Sequence, residues 1–142
     1  MKLVDVYALD GAPQILYEIC KERRSENNIN ISFEMPSWEE HLKFIKSKPY
    51  AYWGLIFDEK YHGYVSLTGR NEIGIVLFKS SRGKGIGKQA LQLFMNTHIP
   101  LLAKTTERRG KWIANINPDN EISKKLFQSL GFKHIQETYA KP

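Results

Sequence analysis

The chain has 142 residues, of which 42% are hydrophobic and 25% charged, and its formal net charge is +6. This length predicts one domain covering residues 1–142, with its own core. No apolar run approaches the ~20 residues of a membrane span, the N-terminus lacks a signal-peptide pattern, and a single cysteine, Cys20, excludes an internal disulfide. We therefore expect a cytoplasmic protein with no membrane partner.

The positive net charge suits an anionic ligand. Basic residues cluster at positions 21–24 and 108–111. Neither cluster has the interleaved aromatic residues of a groove for single-stranded nucleic acid. We therefore expect a small-molecule ligand, no nucleic-acid partner and no metal.

In chain order, apolar alternation first predicts a strand over residues 2–8. Pro13 then stands near the first turn of a helix that runs to about residue 24. Ser37, with Glu40 three residues later, has the pattern of a capping box, which predicts the start of a second helix. That helix ends near Pro49.

Three strands follow, and their short connections predict an antiparallel meander. A helix, a strand, a helix and a last strand complete the predicted order βααβββαβαβ. The seven elements cover residues 50–57, 61–67, 72–78, about 85–96, 111–116, 120–130 and 132–139.

The turn between the third meander strand and the next helix reads Arg82-Gly83-Lys84-Gly85-Ile86-Gly87. Glycines let a ligand approach the backbone closely, and the N–H groups and dipole at a helix start favour an anion. Arg82, Lys84 and Lys88 add positive charge. The glycine spacing differs from that of a P-loop and of a dinucleotide-binding fingerprint. The turn therefore predicts a phosphate site of another kind.

The R-x-x-G-x-G pattern of this turn resembles the pyrophosphate loop of the GNAT acetyltransferase superfamily, which binds acetyl-CoA. A later stretch is similar to a second GNAT motif, N-x-x-A/S-x-x-L-Y/F followed by three residues and Gly-Phe. The resemblance implies an α+β fold in three layers, with a mixed, mostly antiparallel sheet flanked by helices. The second motif matches at Asn120, Ser123, Leu126, Phe127, Gly131 and Phe132.

The resemblance also implies that acetyl-CoA is the cosubstrate and that its pantetheine arm pairs with a strand edge. Val76, Leu77 and Phe78 would supply that edge, and the Leu77 amide would polarise the thioester carbonyl. Asn120 would reach the pantetheine, or act as a plain helix N-cap, and both can hold at once. Phe127 would pack near the thioester. The pyrophosphate would be held by Arg82, Gly83, Lys84, Gly85, Ile86, Gly87 and Lys88.

Acetyl transfer to an amine also needs groups that move protons, and here the chain departs from the family pattern. Phe127 stands where many relatives have a tyrosine that protonates the thiolate, and Asn115 stands where some have a glutamate base. Glu72, acting through water, is our preferred base, with Tyr139 and His134 as alternatives. A regular strand would place these last two on opposite faces. A thiol with a pKa of about 8.5 can leave without a dedicated acid.

The implied acceptor pocket involves Phe33, Glu34 and Trp38, although the two aromatic residues could equally cap the core. The second predicted helix is similar to that of acetyltransferases for nucleotide-linked amino sugars, and to that of relatives acting on ribosomal-protein N-termini. We predict a small-molecule amine acceptor, with an amino sugar as one candidate. A protein N-terminus or lysine, or a CoA-binding module without turnover, is the alternative. Relatives end in two strands and this chain in one, and that uncovered edge predicts a homodimer.

Overall fold

The computed structural model describes residues 1–25, 34–102 and 110–142. Its strands form one antiparallel sheet in chain order. Short 3-10 turns lie at Val6–Ala8 and Lys79–Ser81. The helices and strands are β1 (Lys2–Asp5), α1 (Ala12–Ser25), α2 (Trp38–Lys46), β2 (Tyr52–Asp58), β3 (Lys60–Leu67), β4 (Ile73–Leu77), α3 (Ile86–Thr97) and α4 (Glu121–Ser129).

The two faces of the sheet bury separate cores. Leu55 and Ile56, consecutive residues of β2, point to opposite faces. Leu55 packs in a cluster with Ile19 of α1 and residues of α2, whereas Ile56 packs in a cluster with Phe94 of α3. We call these the α1-side core and the α3-side core. Helices on both faces of a sheet make three layers, which confirms the predicted α+β fold.

A bulge bends β3 close to the position where it meets β4. The register between β2 and β3 shifts at Ile56 and Phe57, and His62 is the extra residue on β3. Gly63 follows with φ of +149°, and a Cβ at this position would overlap the carbonyl oxygen of Val76. Only glycine therefore fits where the two strands approach.

The capping box at the start of α2 is confirmed. The Ser37 hydroxyl accepts a hydrogen bond from the Glu40 N–H, and the Ser37 N–H donates to the Glu40 carboxylate, both at 3.1 Å. These two bonds satisfy donors that a helix start otherwise leaves open. Across the three described ranges, no helix combines the length and apolar character needed to cross a membrane.

Residues 111–116 do not form the predicted strand. Ile113 makes one parallel bridge beside Glu72. Its N–H donates to the carbonyl of Asn71 and its carbonyl accepts from the N–H of Ile73, both at 2.7 Å. The backbone then diverges from β4, while later side chains of the segment pack against the α3-side core. The prediction was wrong because this packing draws the segment away from the sheet edge.

The predicted last strand over residues 132–139 is also wrong. The hydrogen bonds of its side chains are local, between His134 and the Gln136 carbonyl and between the Tyr139 hydroxyl and Glu137. A strand needs a neighbouring backbone to complete a ladder. The described residues therefore form four strands, where six were predicted. The homodimer inferred from this strand stays a prediction.

Candidate active site

A cleft of about 700 Å³ opens where β4 and the segment after Ile113 diverge. Residues 73–77 form one wall and residues 115–117 and 119–123 form the other. Phe127 of α4, Arg82 and Arg23 complete the lining. The cleft therefore lies in the space that opens because residues after Ile113 do not continue as a strand beside β4.

The backbone of β4 alternates between pairing with β3 and facing the cleft. The Phe78 N–H donates to the His62 carbonyl at 2.9 Å, and Val76 lies opposite Tyr64. In an antiparallel ladder such residues exchange hydrogen bonds, and those between them point away. This corrects the expected edge, because the backbone groups of Val76 and Phe78 are used by β3. Val76 still lines the cleft, whereas Phe78 does not.

Ile75 and Leu77 are the residues whose N–H and C=O groups face the cleft. Two hydrogen bonds on that side agree with this assignment. Arg82 donates from Nη2 to the Leu77 carbonyl at 3.3 Å, and Ile73, one alternation earlier, donates to Ile113. The Leu77 amide thus faces the cleft, and its role toward a thioester stays a prediction.

The glycines of the turn after β4 serve two different purposes. Gly83 and Gly85 are exposed with φ of +74° and +76°, a conformation that other residues adopt only at a cost. Gly85 is the N-cap of α3, so the first N–H groups of that helix point toward solvent or a ligand. Gly87 is buried instead. A Cβ there would lie 3.2 Å from the Ile75 side chain and 3.4 Å from that of Leu77.

Positive charge surrounds this turn. Arg82 and Lys84 are exposed, and Lys88 is half-buried in the first turn of α3. Together with the helix dipole these charges favour an anion. The side chain of Ile86 packs against the α3-side core. Only its backbone is therefore available to an anion at the turn. The assignment of the turn to a pyrophosphate stays a prediction.

A buried hydrogen bond between His62 and Ser81 fixes the residue just before the glycine turn. Nδ1 of His62 lies 2.8 Å from the Ser81 hydroxyl, and Nε2 lies 3.1 Å from the Asp58 carbonyl. Because a carbonyl only accepts, Nε2 carries a hydrogen and donates it to Asp58, and Nδ1 pairs with the Ser81 hydroxyl. Both side chains are buried. The β3 bulge is therefore tied to the residue that immediately precedes Arg82.

Of the two roles considered for Asn120, the structure shows the helix N-cap, and its contact with a pantetheine stays a prediction. Its side-chain oxygen accepts from the Ser123 N–H at 3.1 Å, so it is the N-cap of α4. It also lines the cleft. Capping holds the side chain at the cleft wall, where a ligand would meet it.

The end of α4 explains the spacing of the second motif. The Phe132 N–H donates to the Phe127 carbonyl and the Gly131 N–H donates to that of Gln128, both at 3.0 Å. Gly131 has φ of +89°, and the two phenyl rings pack with centroids 5.1 Å apart. These features define a Schellman motif. This packing buries Phe127, which also lines the cleft. Its phenyl ring has no hydroxyl group that could donate a proton.

Glu72 lies at the bridge to Ile113, where the two segments begin to diverge, and it is next to the lining residue Ile73. Its carboxylate accepts a hydrogen bond from the Asn115 side-chain amide, and Asn115 itself lines the cleft. The structure therefore places the preferred base at the edge of the site.

Tyr139 does not reach the site. It is 86% exposed, and its hydroxyl donates to Glu137, which raises the pKa of the phenol. His134, the alternative on the same segment, is also exposed. The expected role of Tyr139 was wrong because the segment forms no strand that would aim the side chain at the cleft.

The predicted acceptor residues are not brought together at this cleft. Trp38 packs its ring edge-on against Tyr17, with centroids 5.2 Å apart, and is 37% exposed. Glu34 is exposed, and neither residue lines the cleft. Phe33 lies outside the described residues. For Trp38, packing against α1 favours the alternative that it caps the core.

Arg23, in the last turn of α1, lines the cleft and was missed by sequence reasoning, which noted it only as part of the basic cluster at positions 21–24. It lies beside Tyr64. Burial raises the pKa of the Tyr64 phenol to about 12, while the charge and hydrogen bond of Arg23 oppose the rise. The helical spacing could have indicated that Arg23 faces inward, because it follows Ile19 by four residues and Leu16 by seven and so lies on the same face of α1. Both of these are buried in the α1-side core.

Comparison with known proteins gives consistent matches. A family model described as an acetyltransferase (GNAT) domain matches residues 5–133. An N-acetyltransferase 9-like protein from Nematostella vectensis is 41% identical over 68 residues, which is 47% of this chain. The matched segment covers 32% of that relative's length, or about a third of it.

Solved structures of other proteins align with nearly the whole chain. A domain from Methanocaldococcus jannaschii has a TM-score of 0.74 at 24% identity, covering 96% of this chain and 90% of that one. A ribosomal-protein-alanine N-acetyltransferase from Brucella melitensis has a TM-score of 0.71 at 20% identity, with coverages of 96% and 86%. A phosphinothricin acetyltransferase from Sinorhizobium meliloti, in complex with acetyl-CoA, has a TM-score of 0.63 at 25% identity, with coverages of 93% and 74%.

Proposed function

The chain belongs to the acetyltransferase (GNAT) domain family, in which acetyl-CoA donates the acetyl group, and we propose that its acceptor is a primary amine of a small molecule. The observation that supports acetyl-CoA as the donor is the pair of outward-facing backbone groups at Ile75 and Leu77, beside the glycine turn. This arrangement offers an extended ligand both a strand edge and an anion site. The relative named as a phosphinothricin acetyltransferase supports a small-molecule acceptor. An amino sugar or a nucleotide-linked amino sugar also suits the basic surface.

The residues present fit acetyl-CoA, which supplies an activated acetyl group on a thiol that can leave. Gly83 and Gly85 leave the backbone of the turn open, because both are exposed and a Cβ at either would meet nothing within 4 Å. The side chains of Arg82, Lys84 and Lys88 would neutralise phosphate charge. Asn120 would hydrogen-bond the pantetheine arm from the cleft wall.

Three features of the chain would act on the reacting atoms. The Leu77 N–H would stabilise the negative charge that develops on the thioester oxygen. Glu72, through water, would take the proton of the attacking amine. Phe127 would pack near the sulfur without protonating it, so the thiolate would leave unassisted, as its moderate basicity permits.

A protein N-terminus or lysine is the second candidate acceptor. The name of the Brucella melitensis structure gives the reason to test it. A CoA-binding module without turnover is the third reading, because Phe127 and Asn115 replace two proton-transfer groups.

A panel of amines with acetyl-CoA, followed by release of free thiol, separates these possibilities. The panel contains amino sugars, amino acids, spermidine and short peptides with a free N-terminus. We expect turnover of a small amine. Turnover of peptides alone would replace the small-molecule acceptor by a protein. Acetyl-CoA binding without any turnover would support the non-catalytic module.

A further inference from the structure

Arg23 is a cation of the cleft that belongs to neither β4 nor the glycine turn. It is half-buried and lines the cleft from the end of α1. The neighbouring side chain of Glu22 accepts a hydrogen bond from the Lys79 N–H. That bond ties the last turn of α1 to the residues that follow β4, so the position of Arg23 is held.

Arg23 enters the cleft on the α1 side of the sheet. It lies beside Tyr64, which is opposite Val76 in the register, and both of these side chains pack against the α1-side core. Leu77 packs its side chain against the α3-side core. Arg82, Lys84 and Lys88 lie at the start of α3. Arg82, which also lines the cleft, and Arg23 therefore reach it from different elements.

Among the residues that the structure describes, no salt bridge neutralises Arg23. Burial raises the pKa values of Tyr50 and Tyr64, so both phenols are uncharged at neutral pH. The salt bridges within the described ranges join Lys21 to Glu18 and Lys124 to Glu121. Glu121, which is paired with Lys124, and Asp119 both line the opposite wall of the cleft, formed by residues 115–117 and 119–123. A partly buried cation whose hydrogen-bond partner, the Tyr64 phenol, is neutral favours an anion.

We propose that Arg23 binds an anionic group, a carboxylate or a phosphate, that the acceptor carries close to its amine. This inference rests on the proposed function and names its substrate class. Guanidinium binds both anions through paired hydrogen bonds. Its charge would also disfavour the ammonium form of the amine and so keep the nucleophile neutral. A polyamine, with further positive charges, would be rejected.

Matched amines test the inference through thiol release with acetyl-CoA. The pairs are glucosamine 6-phosphate against glucosamine and L-methionine against L-methioninamide, with spermidine as a polycation. We expect higher kcat/KM for the anionic member of a pair and little turnover of spermidine. Arg23→Ala should lower kcat/KM for that anionic member by about 10- to 100-fold, the usual loss for a hydrogen bond to a charged group. The neutral member should change less than about twofold.

Two variants serve as controls. Arg23→Lys keeps the charge and should retain part of the preference. Lys21→Ala removes an exposed cation of the same helix, which is paired with Glu18 outside the cleft, and should change neither substrate.

Contrary outcomes fall into distinct classes. Turnover of amines without preference for anionic members overturns the inference and leaves the proposed function intact. A rise in KM for acetyl-CoA alone in Arg23→Ala assigns the anion to CoA and also overturns it. If no amine is acetylated, calorimetry with CoA-loaded protein decides. Binding of glucosamine 6-phosphate or methionine that Arg23→Ala weakens supports the inference, and no binding of either overturns it.

Discussion

The carboxylate of Glu72 accepts a hydrogen bond from the side-chain amide of Asn115 across the point where β4 and the following segment separate. By the family resemblance, Asn115 stands where some relatives have a glutamate base, and Glu72 immediately precedes β4. A carboxylate is therefore present beside that position, although a different element supplies it.

This pairing leads to the first prediction, that Glu72→Gln lowers kcat while acetyl-CoA binding stays within about twofold. Glutamine keeps a hydrogen-bonding side chain but cannot accept a proton, so the loss should be about 100-fold or more. Steady-state kinetics on the best amine of the panel measures it. Glu39→Gln, an exposed residue of α2, is the matched control. An unchanged kcat would remove Glu72 as the base.

Gly63→Ala should destabilise the fold. The added Cβ overlaps the Val76 carbonyl oxygen, and φ of +149° is unfavourable for alanine. Backbone strain of this kind costs about 1–3 kcal/mol. Urea unfolding measures the loss, and Gly69→Ala, where a Cβ meets nothing within 4 Å, is the control. Equal stability of the two variants would show that β3 and β4 can separate without cost.

Ser81→Ala should weaken acetyl-CoA binding more than it lowers kcat. The substitution leaves Nδ1 of the buried His62 without its hydrogen-bond partner, which costs about 1–3 kcal/mol, and it frees residue 81, which immediately precedes Arg82, from β3. Calorimetric titration with CoA and kinetics at saturating acetyl-CoA separate the two effects. The exposed neighbour offers the control Ser80→Ala. A fall in kcat at unchanged CoA affinity would contradict the anchoring role.

Stability should fall between about pH 10 and pH 12 because of Tyr52 and Tyr64. Burial raises the pKa of each phenol from 10.0 to about 12, so above pH 10 the unfolded chain loses protons that the folded chain keeps. Their stabilisation is present below pH 10 and is lost as the pH rises toward 12. The slope is at most about 1.4 kcal/mol per pH unit for each tyrosine. Urea unfolding across this range should show a smaller slope for Tyr64→Phe, and an identical slope would refute the assignment.

Features that depend on neighbours in the chain were predicted well. The capping box of Ser37 and Glu40, the meander of β2 to β4 and the glycine turn all appeared as expected. The Gly131-Phe132 stop is also local, because a Schellman motif joins residues at most five positions apart. The two absent strands show the limit of this reasoning. Residues 111–116 and 132–139 have strand-like composition, but strand formation needs a partner backbone that composition does not report.

The sequence by itself determined the family and the positions of the glycine turn and the Gly131-Phe132 stop, since both motifs rest on short-range geometry and on glycines at positive φ. Tertiary structure decided which β4 amides face the cleft, because pairing of Phe78 with His62 sets the alternation. It also brought Glu72 to Asn115, 43 residues away, and placed Arg23 of α1 in the lining of the same cleft. The physical reason is that these contacts join elements distant in sequence, and their register depends on how the two cores pack on opposite faces of the sheet.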